Sequence, residues 1–115
     1  MKNLQKVLDF IKSRYWNTTT KQLRKEDSFC IEGAVCEAYR SLTGKGYWDR
    51  ESFVLKELRH SAYLPRAVCD WLGLPDDLLA KDEKGRVIAA RDLNDQRGFS
   101  IPETVGCIAR YYNLK

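Results

Sequence analysis

The stretch Phe29-Cys-Ile-Glu-Gly-Ala-Val-Cys-Glu-Ala-Tyr-Arg-Ser-Leu42 decides how the rest of the chain is read. Wound as a helix, it places Ile31, Val35, Ala38 and Leu42 on one face, with Ala34 and Tyr39 beside them. The opposite side carries Gly33 and Cys36, and only Glu32, Glu37 and Arg40 are strongly polar near mid-helix. A helix so sparing of charge is packed on more than one side, and Gly33 and Ala34 let a neighbouring backbone come close. The spacing therefore predicts the central helix of a small helical domain, capped by Asp27 or Ser28 and stopped by Gly44 and Gly46.

Working outward, residues 3–15 predict a first helix, with Leu4, Leu8, Ile11 and Tyr15 in a stripe and Val7 beside it. Lys6, Asp9 and Ser13 face the other way, and the β-branched run after Asn17 ends the helix. Lys21 to Lys25 is a basic connector or a short helix of its own. Beyond the central helix, Asp49 fits an N-cap, with Trp48 and Phe53 at the spacing of a hydrophobic staple. That third helix would bury Val54, Leu55, Leu58 and Ala62, with Phe53 and His60 on its other side. Leu64 to Pro75 reads as a short fourth helix: Pro65 suits its first turn, Gly73 a left-handed residue past its end, and Leu74 the apolar contact that follows. Val68, Trp71 and Leu72 would pack inward.

Asp82-Glu-Lys-Gly85 is a turn signal and predicts a hairpin pairing Leu78–Lys81 with Arg86–Ala90. Two strands alone are marginal, so the hairpin must lean on the helices. The segment Leu93 to Ser100 reads as a turn. Ser100 and Glu103 form a capping box, with Pro102 in the first turn of a last helix whose core face is Ile101, Val105, Ile108 and Tyr112. The fold expected is α+β but predominantly α: about five helices and one small β-hairpin, in a single domain over residues 1–115.

Composition narrows the function classes. The 115 residues are 43% apolar and 31% charged, ordinary values for a soluble globular chain that can bury a core without staples. No apolar run approaches the roughly 20 residues of a membrane span, so neither a bilayer crossing nor a cleaved signal is expected. Cys30, Cys36, Cys69 and Cys107 form no Cys-x-x-Cys pair, and a single histidine cannot complete a Cys/His zinc set. Reduced structural thiols in a cytoplasmic protein are expected, with no metal and no cofactor.

The net charge of +4 is unevenly spread. Lys2, Lys6, Lys12, Arg14, Lys21, Arg24 and Lys25 stand against Asp9 within the first 25 residues. Such a quarter is an electrostatic handle for an acidic partner; the bland reading is a solvated helix face and loop. Aromatics beside the basic residues, Arg14-Tyr-Trp16 and Tyr47-Trp-Asp-Arg50, can anchor a protein interface, stack on bases or fill the core. The contact region read from this pattern is Lys12, Arg14, Trp16, Lys21, Arg24 and Lys25.

Two clusters invite chemistry. Cys30, near a helix start, has the setting that stabilises a thiolate, and the order Cys30, His60, then Asn94 or Asp95 is that of papain-like hydrolases. Against this, His60 sits away from its helix's core stripe and nothing glycine-rich approaches the cysteine. Asn94 and Asp95 could form a polar contact surface, or could build the turn that delivers the last helix, which is the favoured reading. Asp76, Asp77, Asp82 and Glu83 read as a solvated acidic loop. A half helix-turn-helix at the end lacks a recognition helix after it.

The elements Cys-x-x-Gly-Ala (Cys30, Gly33, Ala34), Leu-Pro…Trp-Leu-Gly-Leu (Leu64 to Leu74) and Leu-Asn-Asp-x-x-Gly-Phe-Ser (Leu93 to Ser100) together resemble a family of small proteins of unknown function found in phages, prophages and bacteria. The resemblance spans most of residues 29–110. It implies a setting and no catalytic residues: a small accessory protein acting on a host component. The function expected is thus a non-enzymatic protein-binding accessory protein, which in that setting is a phage-encoded modulator or inhibitor of a host (defence) factor. Its partner would be a host or phage protein with an acidic surface, met in the host cytoplasm. The alternatives are a nucleic-acid-binding accessory protein and a small cysteine hydrolase using Cys30.

Overall fold

The computed structural model describes residues 1–14, 31–46, 64–75 and 77–114. Among them are five helices and one two-stranded antiparallel hairpin, so the architecture is α+β and predominantly α. In chain order they are α1 (Lys2–Arg14), α2 (Ile31–Thr43), α3 (Arg66–Leu72), β1 (Leu79–Lys81), β2 (Val87–Ala89), α4 (Ala90–Asp95) and α5 (Ile101–Tyr112). The helix expected after Asp49, with Trp48, Phe53 and His60, lies outside the described residues, as do Cys30 and the basic connector.

α2 is buried over its first nine residues, Ile31 through Tyr39, on every side. Gly33 and Cys36 are enclosed as fully as Ile31 and Val35, as the sparse charge predicts. α1 and α4 both pack on it. Two details differ from the sequence pattern. Leu42 was expected on the core face but is 43% exposed, because the last turn of α2 runs past the packed elements into solvent. Glu32 and Glu37, the strongly polar positions near mid-helix, are buried, and each lies near an arginine, Glu32 at 3.9 Å from Arg91 and Glu37 at 2.7 Å from Arg40.

α1 lies with Leu4, Val7, Leu8 and Ile11 wholly inside and Lys6, Asp9 and Ser13 outside, the arrangement its periodicity dictates. Burying each such aliphatic side chain contributes roughly 1.5–3 kcal/mol, which holds a helix this short that would not persist alone. α3 is joined to it by the Asn3 side-chain amide, which donates to the Trp71 carbonyl at 2.7 Å. The Trp71 ring then meets Tyr39 of α2 edge to face, with centroids 5.4 Å apart. α3 ends as its sequence requires. Gly73 takes a left-handed φ of 76°, its N–H bonds the Asp70 carbonyl, and the Leu74 N–H reaches the Cys69 carbonyl while its side chain is buried.

The hairpin pairs Leu79 with Ala89, Ala80 with Ile88 and Lys81 with Val87. Its loop is a turn from Asp82 to Gly85, with Gly85 at φ 77°, the three-residue form that ends in a left-handed residue. β1 leans on α5, where the Tyr112 hydroxyl accepts the Leu79 N–H at 3.1 Å. Residues 90–95 form the short helix α4, where the sequence suggests only a turn from Leu93 onward. The turn itself follows, with Phe99 N–H bonding the Leu93 carbonyl. α5 opens with the complete capping box: Ser100 Oγ accepts Glu103 N–H, and the Glu103 carboxylate accepts Ser100 N–H.

Candidate interaction surface

The predicted contact region begins on the last turn of α1. Lys12 and Arg14 are exposed there, at the negative end of the helix dipole, which favours both. The Arg14 guanidinium lies 5.3 Å from the Phe10 ring centroid. Being two positions apart, Lys12 and Arg14 leave the helix on opposite flanks of its buried stripe. They thus frame the helix end without forming one line of charge. Trp16, Lys21, Arg24 and Lys25 lie outside the described residues, so the structure gathers two of the six and is silent on four.

The remaining arginines behave differently. Arg40 is bidentate on Glu37, at 2.7 and 3.2 Å. Arg91 sits between the half-buried Asp77 carboxylate, 2.5 Å away at Oδ2, and the buried Glu32 carboxylate, 3.9 Å away at Oε1. Arg97 pairs with Glu83 and reaches Asp82 at 3.3 Å while stacking on the Phe99 ring. Arg110 donates to the Asp82 carbonyl. Among the described residues, Lys12 and Arg14 have no carboxylate partner, and Arg14 touches only the Phe10 ring.

Asp82 corrects the reading of an acidic solvated loop. Its carboxylate is buried and accepts Lys84 N–H at 2.9 Å, Arg86 N–H at 2.8 Å and the Arg86 side chain at 3.2 Å. The Arg86 N–H does most to hold this carboxyl below the usual range; burial opposes it, and the Lys84 N–H adds to it. Asp77 is likewise committed, to Arg91 and the Leu78 N–H. Acids next to a tight turn look solvated until their distant arginines are known.

Asn94 is also structural. It is buried; its Oδ1 accepts Ile31 N–H at 3.0 Å and its Nδ2 donates to the Phe99 carbonyl at 2.9 Å. One carboxamide thus builds the turn before α5 and receives a backbone donor at the start of α2. Nothing in the sequence beyond the residue type signals that second bond. Cys30 and His60 are outside the described residues. Cys36, Cys69 and Cys107 are buried and in no disulfide, and burial pushes the Cys107 thiol up, away from thiolate chemistry.

Among the described residues, no group of three or more His, Cys, Asp or Glu side chains is placed to hold a metal ion. No helix there is long and apolar enough to cross a membrane. Two open grooves are present. One, of about 420 Å³, runs along α5 past Phe99, Pro102, Gly106 and Arg110; the other, of about 520 Å³, lies between Met1–Asn3 and Asp70–Gly73. No family model, no curated protein and no solved structure matches the chain.

Proposed function

We propose that the chain is a non-enzymatic binding module that recognises a protein with an acidic surface through the basic end of α1 and the residues that follow it. One observation carries the reading. Arg40, Arg91 and Arg97 are held by carboxylates of the same fold, whereas Lys12 and Arg14 are exposed and, among the described residues, have no carboxylate partner. Uncompensated charge at one end of a molecule steers an oppositely charged partner. Lys21, Arg24 and Lys25 continue the charge in sequence, and Trp16 supplies area of the kind that anchors protein interfaces.

Two features support a protein partner over nucleic acid. Asp9 interrupts the outer face of α1, and Lys12 and Arg14 diverge, so no continuous stripe follows a phosphate backbone. The resemblance to small phage and prophage proteins supports the finer reading, a modulator of a host factor in the host cytoplasm. The hydrolase reading has less support, since the Asn94 carboxamide is engaged by Ile31 and Phe99.

Capture from bacterial lysate on the immobilised protein, with and without nuclease, tests the class of partner. A protein retained after nuclease treatment supports the proposal. Binding that vanishes with nuclease, and in free form weakens steeply with salt, would replace it with the nucleic-acid alternative.

A further inference from the structure

The described residues cover the two outer edges of the hairpin unequally: α5 packs along β1 and takes one of its outward donors. The Ala90 N–H bonds the Leu78 carbonyl and the Asp82 N–H bonds the Arg86 carbonyl, both at 2.9 Å. Those bonds make 78/90 and 82/86 hydrogen-bonded pairs, and alternation in an antiparallel ladder makes 80/88 the third. The intervening pairs, Leu79 with Ala89 and Lys81 with Val87, therefore turn their backbone groups outward. On the β1 side the Leu79 N–H is taken by the Tyr112 hydroxyl. On the β2 side, Val87 and Ala89 have no such partner among the described residues, and Val87 is 56% exposed.

We propose that this outer edge of β2 is a docking site for an extended acidic segment of a partner protein, which adds a third strand to the hairpin. Val87 offers both its N–H and its carbonyl along this edge and Ala89 offers its N–H, the Ala89 carbonyl being taken by the first hydrogen bond of α4. Val87 and Ala89 project from the same face, so an apolar residue of the incoming segment meets them. The charge nearby sets the sign. Lys84 is exposed and unpaired, and the Arg86 side chain is 67% exposed beyond its contact with Asp82. Of the two acids in the loop, Asp82 is buried under Arg86 and Glu83 is tied up with Arg97. A second copy of the chain is the weaker occupant. A three-residue edge falls far short of the roughly 1,200–2,000 Å² that a stable interface buries, and the second copy would bring Lys84 and Arg86 of its own. This surface is separate from the end of α1 and shares with the proposed function only the class of partner.

Ala89 supplies a clean variant. Its φ of −65° is the value proline imposes, and its N–H points away from β1, so Ala89→Pro removes an edge donor and no ladder bond. The probes are two capped octapeptides, one alternating valine with glutamate, the other valine with lysine. Amide hydrogen exchange and peptide titration followed by NMR read the result, on the full chain with Lys12 and Arg14 intact. The valine-glutamate peptide is expected to protect the Val87 and Ala89 amides in a dose-dependent way. Ala89→Pro should weaken it at least about tenfold with an unchanged melting temperature, and Lys84→Glu, an exposed change, should weaken it severalfold. The valine-lysine peptide should bind about tenfold worse. Equal binding by Ala89→Pro, equal binding of the two peptides, or no protection at Val87 and Ala89 would each overturn the proposal. Protection that grows with protein concentration in the absence of peptide would assign the edge to a second copy instead.

Discussion

The side-chain oxygen of Asn94 accepts the backbone N–H of Ile31 at 3.0 Å, across 63 positions of sequence. An N–H in the first turn of a helix has no partner within that helix, and this one is buried. The same carboxamide holds the Phe99 carbonyl, so the start of the central helix and the turn before α5 are fixed by one side chain.

Asn94→Ala therefore leaves one buried and one half-buried backbone group without this partner and should cost about 1–3 kcal/mol by urea denaturation. Asn94→Asp keeps the acceptor for Ile31 and loses the donor to Phe99, so it should cost less. A loss below about 0.5 kcal/mol for Asn94→Ala would mean that water or another group takes over both bonds.

Gly33 sits within the part of α2 that is buried on all sides. Gly33→Leu should destabilise by overpacking, on the order of 1–3 kcal/mol. An unchanged thermal melt would place Gly33 against solvent and make α2 peripheral.

What the sequence made legible was local. The capping box at Ser100 and Glu103, the left-handed Gly73 with Leu74 behind it, and the Asp82–Gly85 turn are each written within a few residues, so short-range chemistry determines them. The Asn94–Ile31 bond, the Arg97 and Arg110 contacts to Asp82, and the Arg91–Glu32 pair join distant positions that no pattern announces. α4 escapes the pattern because it follows β2 directly and ends in Asn94 and Asp95, with Gly98 soon after, residues that read as a turn. Of the candidate site, its charge was legible; the divergence of Lys12 from Arg14 follows from helix geometry once α1 is seen.

Acid should loosen the hairpin. The folded-state pKa of Asp82 is lowered, first by the Arg86 N–H; Glu83 is lowered by its own N–H and by Arg97, and Glu103 by the Ser100 N–H and hydroxyl. A depressed pKa gives stability that is full above the unfolded-state value and lost as pH falls through the folded one. Stability should therefore drop below about pH 4. Asp82→Asn should be less stable at neutral pH yet flatter with pH in that acid range. An acid slope identical to wild type would show that Asp82 carries none of the dependence.

Ser100→Ala removes the acceptor for the Glu103 N–H and should cost about 1 kcal/mol. The effect belongs at the start of α5, so hydrogen exchange should rise there first, with the amides of α1 unchanged.

The account rests most on the charge at the end of α1, and Lys12→Glu/Arg14→Glu tests it directly. Both residues are exposed, so the double variant should stay folded, melting somewhat lower because it opposes the α1 dipole and loses the Arg14–Phe10 contact. Association and dissociation rates with the nuclease-resistant partner are the measurement. Association slowed by about tenfold or more, with dissociation changed much less, is the predicted result. Unaltered association at low salt would contradict the account and return Lys12 and Arg14 to a merely solvated helix end.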